Sequence, residues 1–249
     1  MRVLLIGAGT VGCAVARNLI GWGVTHLTIL DSGVVSPSNP TRQCLYNWSD
    51  CTLHQGQSIY KAVVAAQALK EINPAIDSQG VVFSIPMMNH EEDDMRERIL
   101  QLCEWIDESD VVFLMTDLID SRWLPSILCC LSHTLCISIS LDGDSFTIQR
   151  YGRSLMEYGE RGFHHPASLQ TCLSKGYKNE SVGSHENCCF CNETISVENT
   201  ATDRSMDQLC TTTRIGLSYI ASGMAVELMI NYLHYYIKDR LGEVPQHVF

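Results

Sequence analysis

Several clusters in this 249-residue chain carry side chains able to do chemistry. Gly7-Ala8-Gly9-Thr10-Val11-Gly12 spells GxGxxG between a strand-like and a helix-like run. Glycines at that spacing allow a tight turn and let phosphate approach backbone N–H groups at a positive helix end. Asp31 closes the next strand-like run, 19 residues beyond Gly12, where a carboxylate accepts hydrogen bonds from ribose hydroxyls. Asn39, Arg42 and Gln43 follow in a polar loop. Arg offers paired donors to phosphate oxygens, and the amides suit ribose or triphosphate. Lys61 adds a cation at a helix start, or is a solvated side chain. Asp117 follows an apolar strand, where a carboxylate either holds Mg²⁺ on a triphosphate or caps the next helix. GxGxxG alone does not separate NAD from ATP. The Asn39–Gln43 loop has no standard use in a dinucleotide dehydrogenase and favours ATP.

Two cysteine motifs come later. Cys188-x-x-Cys191 has metal-ligand spacing, but tetrahedral Zn²⁺ takes four ligands and no second pair of this kind follows. Cys189, His185, Cys172, His164 and His165 stand nearby, so the pair is an incomplete zinc site or spare thiols. Cys210 lies in the polar segment Asp203–Arg214, just before a helix. Arginine neighbours and a helix N-terminus lower a thiol's pKa and raise its nucleophilicity, whereas most cysteines in such a chain are inert.

These residues need elements to position them. Apolar runs predict strands at Arg2–Ile6, His26–Leu30, Val81–Ile85, Val111–Met115, Thr134–Ser140 and Phe146–Gln149. Helical spacing predicts helices at Val11–Trp22, Lys61–Ile72, Glu92–Ile106, Ser121–Leu131 and Ile215–Tyr236, with Ala221, Gly223 and Ala225 on closely packing faces. The alternation implies an α/β fold, a Rossmann-like, doubly wound and mostly parallel sheet. The expected organisation is a nucleotide-binding core over 1–150, a loop-rich insertion over 151–213 carrying both cysteine motifs, and a helix with tail over 214–249.

Composition narrows the partners. Hydrophobic residues make 45%, charged residues 18%, and the mean hydropathy is +0.02, which is ordinary globular composition. A net charge of -11 argues against non-specific nucleic-acid or anionic-membrane binding. There is no apolar run long enough for a membrane span. The chain leads from a short apolar run straight into glycines, so no export signal is expected. Its 12 cysteines then read as reduced thiols of a cytoplasmic protein.

The order of motifs resembles the adenylation domain of ubiquitin-like-modifier-activating enzymes, kin of the ThiF and MoeB adenylyltransferases. It runs from Gly7–Gly12 through Asp31, Ser38-Asn39-Pro40-Thr41-Arg42-Gln43 and Lys61-Ala62 to Asp117 and Ser121-Arg122-Trp123-Leu124-Pro125. Finer details look like its autophagy branch: Gly21-Trp22-Gly23-Val24, Cys188-x-Phe190-Cys191-Asn192, Asp207-Gln208-x-Cys210-Thr211 and Ala225-Val226-Glu227-Leu228-Met229. The resemblance implies that Gly7, Gly9, Gly12 and Asp31 hold ATP. It implies that Asn39, Arg42, Gln43 and Lys61 bind ribose and phosphates, and that Asp117 binds Mg²⁺. Cys210 would carry the modifier as a thioester before transfer to a conjugating enzyme. The implied partners are autophagy ubiquitin-like modifiers, conjugating enzymes and a second copy of the chain. Relative to that family the chain opens directly on the first strand and stops before the expected acidic tail, so it reads as a fragment or reduced form. Two alternatives stay open: an adenylyltransferase acting on a sulfur-carrier protein, and an inactive binding or dimerisation module.

Overall fold

In the computed structural model the apolar runs pair into one six-stranded sheet of order β3-β2-β1-β4-β5-β6. The structure describes residues 1–51, 59–87, 94–118, 120–151 and 214–241, with side chains through 234. The strands are β1 Arg2–Ile6, β2 His26–Leu30, β3 Asp77–Val81, β4 Val111–Leu114, β5 Leu135–Asp142 and β6 Ser145–Tyr151. The helices are α1 Thr10–Gly21, α2 Lys61–Ile72, α3 Met95–Asp107, α4 Asp120–Leu131 and α5 Ile215–Leu241. β1 through β5 are parallel, and β6 returns antiparallel beside β5.

Central strands are apolar throughout because helices cover both sheet faces. All four residues of β4 are buried, as are Val3–Ile6 of β1. One face packs on α1, α2 and α5, with Val3, Leu5, Val15, Leu19, Leu69, Phe113 and Met229 in its core. The other packs on α3 and α4 around Leu4, Ile6, Leu102, Ile106, Leu114 and Leu128. Each such Leu, Ile or Phe contributes about 1.5–3 kcal/mol when fully buried. Small residues let α5 come close to α1: Ala221, Ser222 and Ala225 are fully buried, and Ser222 Oγ donates to the Val11 carbonyl at 3.3 Å. Gly223 takes no part in this, since a Cβ there would meet nothing within 4 Å. Among the described residues no helix is long and apolar enough to cross a membrane.

The third strand departs from the sequence reading. The apolar run at 81–85 predicts it there, yet β3 is the polar segment Asp77–Val81, paired His26 to Asp77 through Leu30 to Val81. Gly80 is the reason. A Cβ on it would stand 2.1 Å from the Ala62 carbonyl oxygen, so the strand must be bare where α2 crosses it. Phe83 and Ile85 are buried beyond the strand's end instead. The helix expected at Glu92–Ile106 begins at Met95, with 88–93 outside the described residues.

Candidate functional site

Strand order reverses between β1 and β4, and ligands of such sheets lie beyond the carboxyl ends of the strands at that point. There the structure has a cleft of about 350 Å³. Of the residues singled out from the sequence, Gly7, Gly9, Asp31, Arg42, Gln43, Lys61 and Asp117 line it. Gly12 and Asn39, expected to bind the ligand, are buried and not among the lining residues. Cys188, Cys191 and Cys210 lie outside the described residues.

The β1–α1 turn is built by sterics. Gly7 has φ 110°, in the left-handed region that disfavours a side chain, and its N–H donates to the Leu30 carbonyl at 2.9 Å. At Gly12 a Cβ would fall 2.1 Å from the Gly7 carbonyl oxygen. Gly9 differs: a Cβ there would meet nothing within 4 Å, although the residue lines the cleft. Gly9 is also the N-cap of α1, with no side-chain cap hydrogen bond.

Asp31 holds this turn. Its Oδ2 accepts from the Ala8 N–H at 2.7 Å and its Oδ1 from the Gly33 N–H at 2.6 Å. Each carboxylate oxygen keeps a second lone-pair site for a ligand hydroxyl. The Gly33 carbonyl in turn accepts from the Lys61 N–H at 2.9 Å, which sets the start of α2 beside the cleft.

The loop after β2 folds around Asn39, 1% exposed. Its Oδ1 accepts from the Ser36 N–H at 2.9 Å, and its carbonyl accepts from the N–H groups of Arg42 and Gln43. Arg42 Nη1 donates to the Ser38 carbonyl at 3.0 Å, while Arg42 Nε and Gln43 Oε1 are buried without a partner among the described residues. Thr116 Oγ1, on the opposite wall, is in the same condition.

Two residues with no role in the sequence reading hold the walls. Tyr46 O–H donates to the Ala8 carbonyl at 2.7 Å and lies 3.3 Å from the Lys61 carbonyl. Burial pushes its ionisation far above the usual phenol range, so it stays a neutral donor. Arg122, 6% exposed, donates through Nε at 2.7 Å and through Nη2 to the Thr116 carbonyl, and through Nη1 to Ser140 Oγ. Only the apolar Leu45-Tyr46 pair inside a polar loop hinted at the first. Phe83, Ile85 and Met87 form an apolar end of the cleft. Phe83 is held edge-on to Trp105 with centroids 4.9 Å apart.

Cysteine burial separates inert from available thiols. Desolvation, reinforced by Cys44, pushes the Cys13 thiol up to about 12, and burial pushes Cys103 up to about 11. Neither suits a nucleophile. Among the described residues no group of three or more His, Cys, Asp or Glu could hold a metal ion.

Residues 1–244 match the family model described as the ThiF family. The chain is 42% identical over 252 residues to the ubiquitin-like modifier-activating enzyme atg7 of Dictyostelium discoideum, covering 99% of this chain and 34% of that protein. It is 37% identical over 245 residues to the human ubiquitin-like modifier-activating enzyme ATG7, covering 94% and 34%. The chain thus spans about a third of the length of these curated relatives, 34% in both cases. Among solved structures, E. coli MccB superposes with a TM-score of 0.60 at 16% identity, covering 94% of this chain and 55% of that one. PaaA gives 0.56 at 14% identity, covering 95% and 65%. At those identities the likeness is one of fold.

Proposed function

The chain belongs to the ThiF family, whose model spans residues 1–244, and from that membership we propose that it activates ubiquitin-like modifiers of the autophagy type at the expense of ATP. Its curated relatives carry the name ubiquitin-like modifier-activating enzyme. The observation that carries the reading is the convergence of Gly7, Gly9, Asp31, Arg42, Gln43, Lys61 and Asp117 on one cleft at the sheet's switch point.

The lining fits a nucleoside triphosphate. Gly9 leaves the uncapped N-terminus of α1 open, and that end of a helix attracts anions. Arg42 Nε and Thr116 Oγ1 are buried donors awaiting an acceptor, and Gln43 Oε1 a buried acceptor awaiting a donor. Such orphans carry a desolvation cost that a polar ligand relieves. Arg42 and Lys61 bring positive charge to the same cleft. Asp31 orients the glycine turn and accepts from ribose, and Asp117 offers oxygen to Mg²⁺. When bound, Mg²⁺ offsets the negative charge that gathers on the departing pyrophosphate.

In this reading the modifier's terminal carboxylate displaces pyrophosphate from the α-phosphorus. Cys210, as a thiolate, then attacks the acyl carbon and AMP leaves, giving a thioester for a conjugating enzyme's cysteine. Thioester chemistry needs reduced thiols, in keeping with a cytoplasmic location. Zn²⁺ at Cys188 and Cys191 would need two more ligands, and stoichiometric metal in the purified protein would support it. The active form is a homodimer: Ile220, Met224 and Leu228, spaced four residues apart and exposed along one side of α5, make an apolar face suited to a second copy.

The test is modifier-dependent exchange of labelled pyrophosphate into ATP, followed by a non-reducing gel. Exchange with a thiol-labile adduct that Cys210→Ala abolishes supports the reading. Exchange without an adduct points to sulfur-carrier adenylation, and no exchange to an inactive module.

A further inference from the structure

We propose that Arg122 is a positioning residue that sets Asp117 for the divalent cation of the bound nucleotide; this rests on the reading of the cleft as a Mg²⁺–ATP site. Arg122 sits in the first turn of α4, a helix that starts at Asp120. A cation there opposes the helix dipole, and a guanidinium only 6% exposed loses hydration as well. Two unfavourable terms at one side chain call for a compensating role.

Its hydrogen bonds supply that role. Nε and Nη2 converge on the Thr116 carbonyl, and Nη1 reaches Ser140 Oγ on β5. The Thr116 carbonyl and the Asp117 N–H share one planar peptide unit. Fixing that carbonyl fixes the plane from which the Asp117 side chain departs. The anchor on β5 ties the plane to a neighbouring strand, so the β4–α4 turn cannot swing alone. Lysine cannot replace the planar fork, since it offers a point charge and no pair of donors at fixed angle. Asp117, exposed at the mouth of the cleft, is thereby pointed by a residue that does not itself touch the cation.

The experiment measures ATP affinity of the full chain by calorimetry, with excess Mg²⁺ and with chelator, for wild type, Arg122→Lys and Ser140→Ala. Melting curves of all three report folding. Outer partners of metal ligands change metal affinity by about 10–100-fold, so the Mg²⁺-dependent gain should shrink by about tenfold or more in Arg122→Lys. Ser140→Ala, which removes one anchor, should lose a smaller part. Affinity with chelator should fall by a smaller factor than the Mg²⁺-dependent gain in both. Equal loss of affinity with and without Mg²⁺ would overturn the proposal in favour of direct phosphate contact or general unfolding. An unchanged Mg²⁺ gain in both variants would overturn it too. Wild type binding ATP with no gain from Mg²⁺ would instead remove the underlying reading of the cleft, and the proposal with it.

Discussion

Two alanine substitutions in the glycine turn should separate stability from binding. At Gly12 the new Cβ would stand 2.1 Å from the Gly7 carbonyl oxygen, against 3.4 Å or more for an ordinary contact. Backbone lies on both sides, so the turn itself must move. Overpacking of that kind costs about 3 kcal/mol or more. At ~2–4 °C per kcal/mol for a chain of this size, Gly12→Ala should melt roughly 6–12 °C lower. At Gly9 nothing lies within 4 Å of a Cβ, and φ is -79° with ψ -158°, which any residue adopts. The loss at an N-cap, below ~1 kcal/mol, is offset by the ~0.4–1 kcal/mol gained from a stiffer unfolded chain. Gly9→Ala should therefore melt within about 4 °C of wild type. It should nonetheless lose at least about tenfold in ATP affinity, ~1.4 kcal/mol, because the methyl occupies the approach to the α1 N-terminus. Differential scanning calorimetry and ATP titration read both quantities. Gly9→Ala binding ATP like wild type would show that phosphate does not approach there, and a wild-type melt for Gly12→Ala would refute the steric account.

Three further outcomes are expected. Asp31→Asn leaves one amide oxygen to serve two backbone donors and turns an N–H toward one of them; it should cost about 1.5–3 kcal/mol in a denaturant melt and weaken ATP binding in parallel. The Cys13 thiol ionises near 9.0 in its ordinary state and about 12 when buried, so its contribution is full below pH 9 and falls as pH rises toward 12; Cys13→Ala should flatten that alkaline loss in pH-dependent melts. Ile220→Glu, on the exposed face of α5, should shift the mass by light scattering from dimer to monomer without lowering the melting temperature by more than ~2 °C.

The sheet was largely legible because its central strands are buried on both faces and read as unbroken apolar runs, as at Val3–Ile6 and Val111–Leu114. The edge strand was not. A polar Asp77–Val81 with Gly80 at its crossing carries no apolar signal, while the run at 81–85 owes its hydrophobicity to the core under α3. The cleft residues were legible by type and spacing, and the fold brings seven of them together. Their support was hidden because it is long-range. Asp31 grips the Ala8 N–H 23 positions away, Tyr46 reaches Ala8 across 38, and Arg122 reaches Ser140 across 18. Sequence spacing reports local periodicity and says nothing of such closures.

The cleft at the sheet's switch point should take Mg²⁺–ATP and not a nicotinamide dinucleotide. Titrating the full chain with ATP and Mg²⁺, and separately with NAD, tests it most directly. The expected result is saturable ATP binding that Asp117→Ala and Arg42→Ala weaken by tenfold or more (about 1.4 kcal/mol), with no uptake of NAD. Tight NAD binding with no heat from ATP would contradict it.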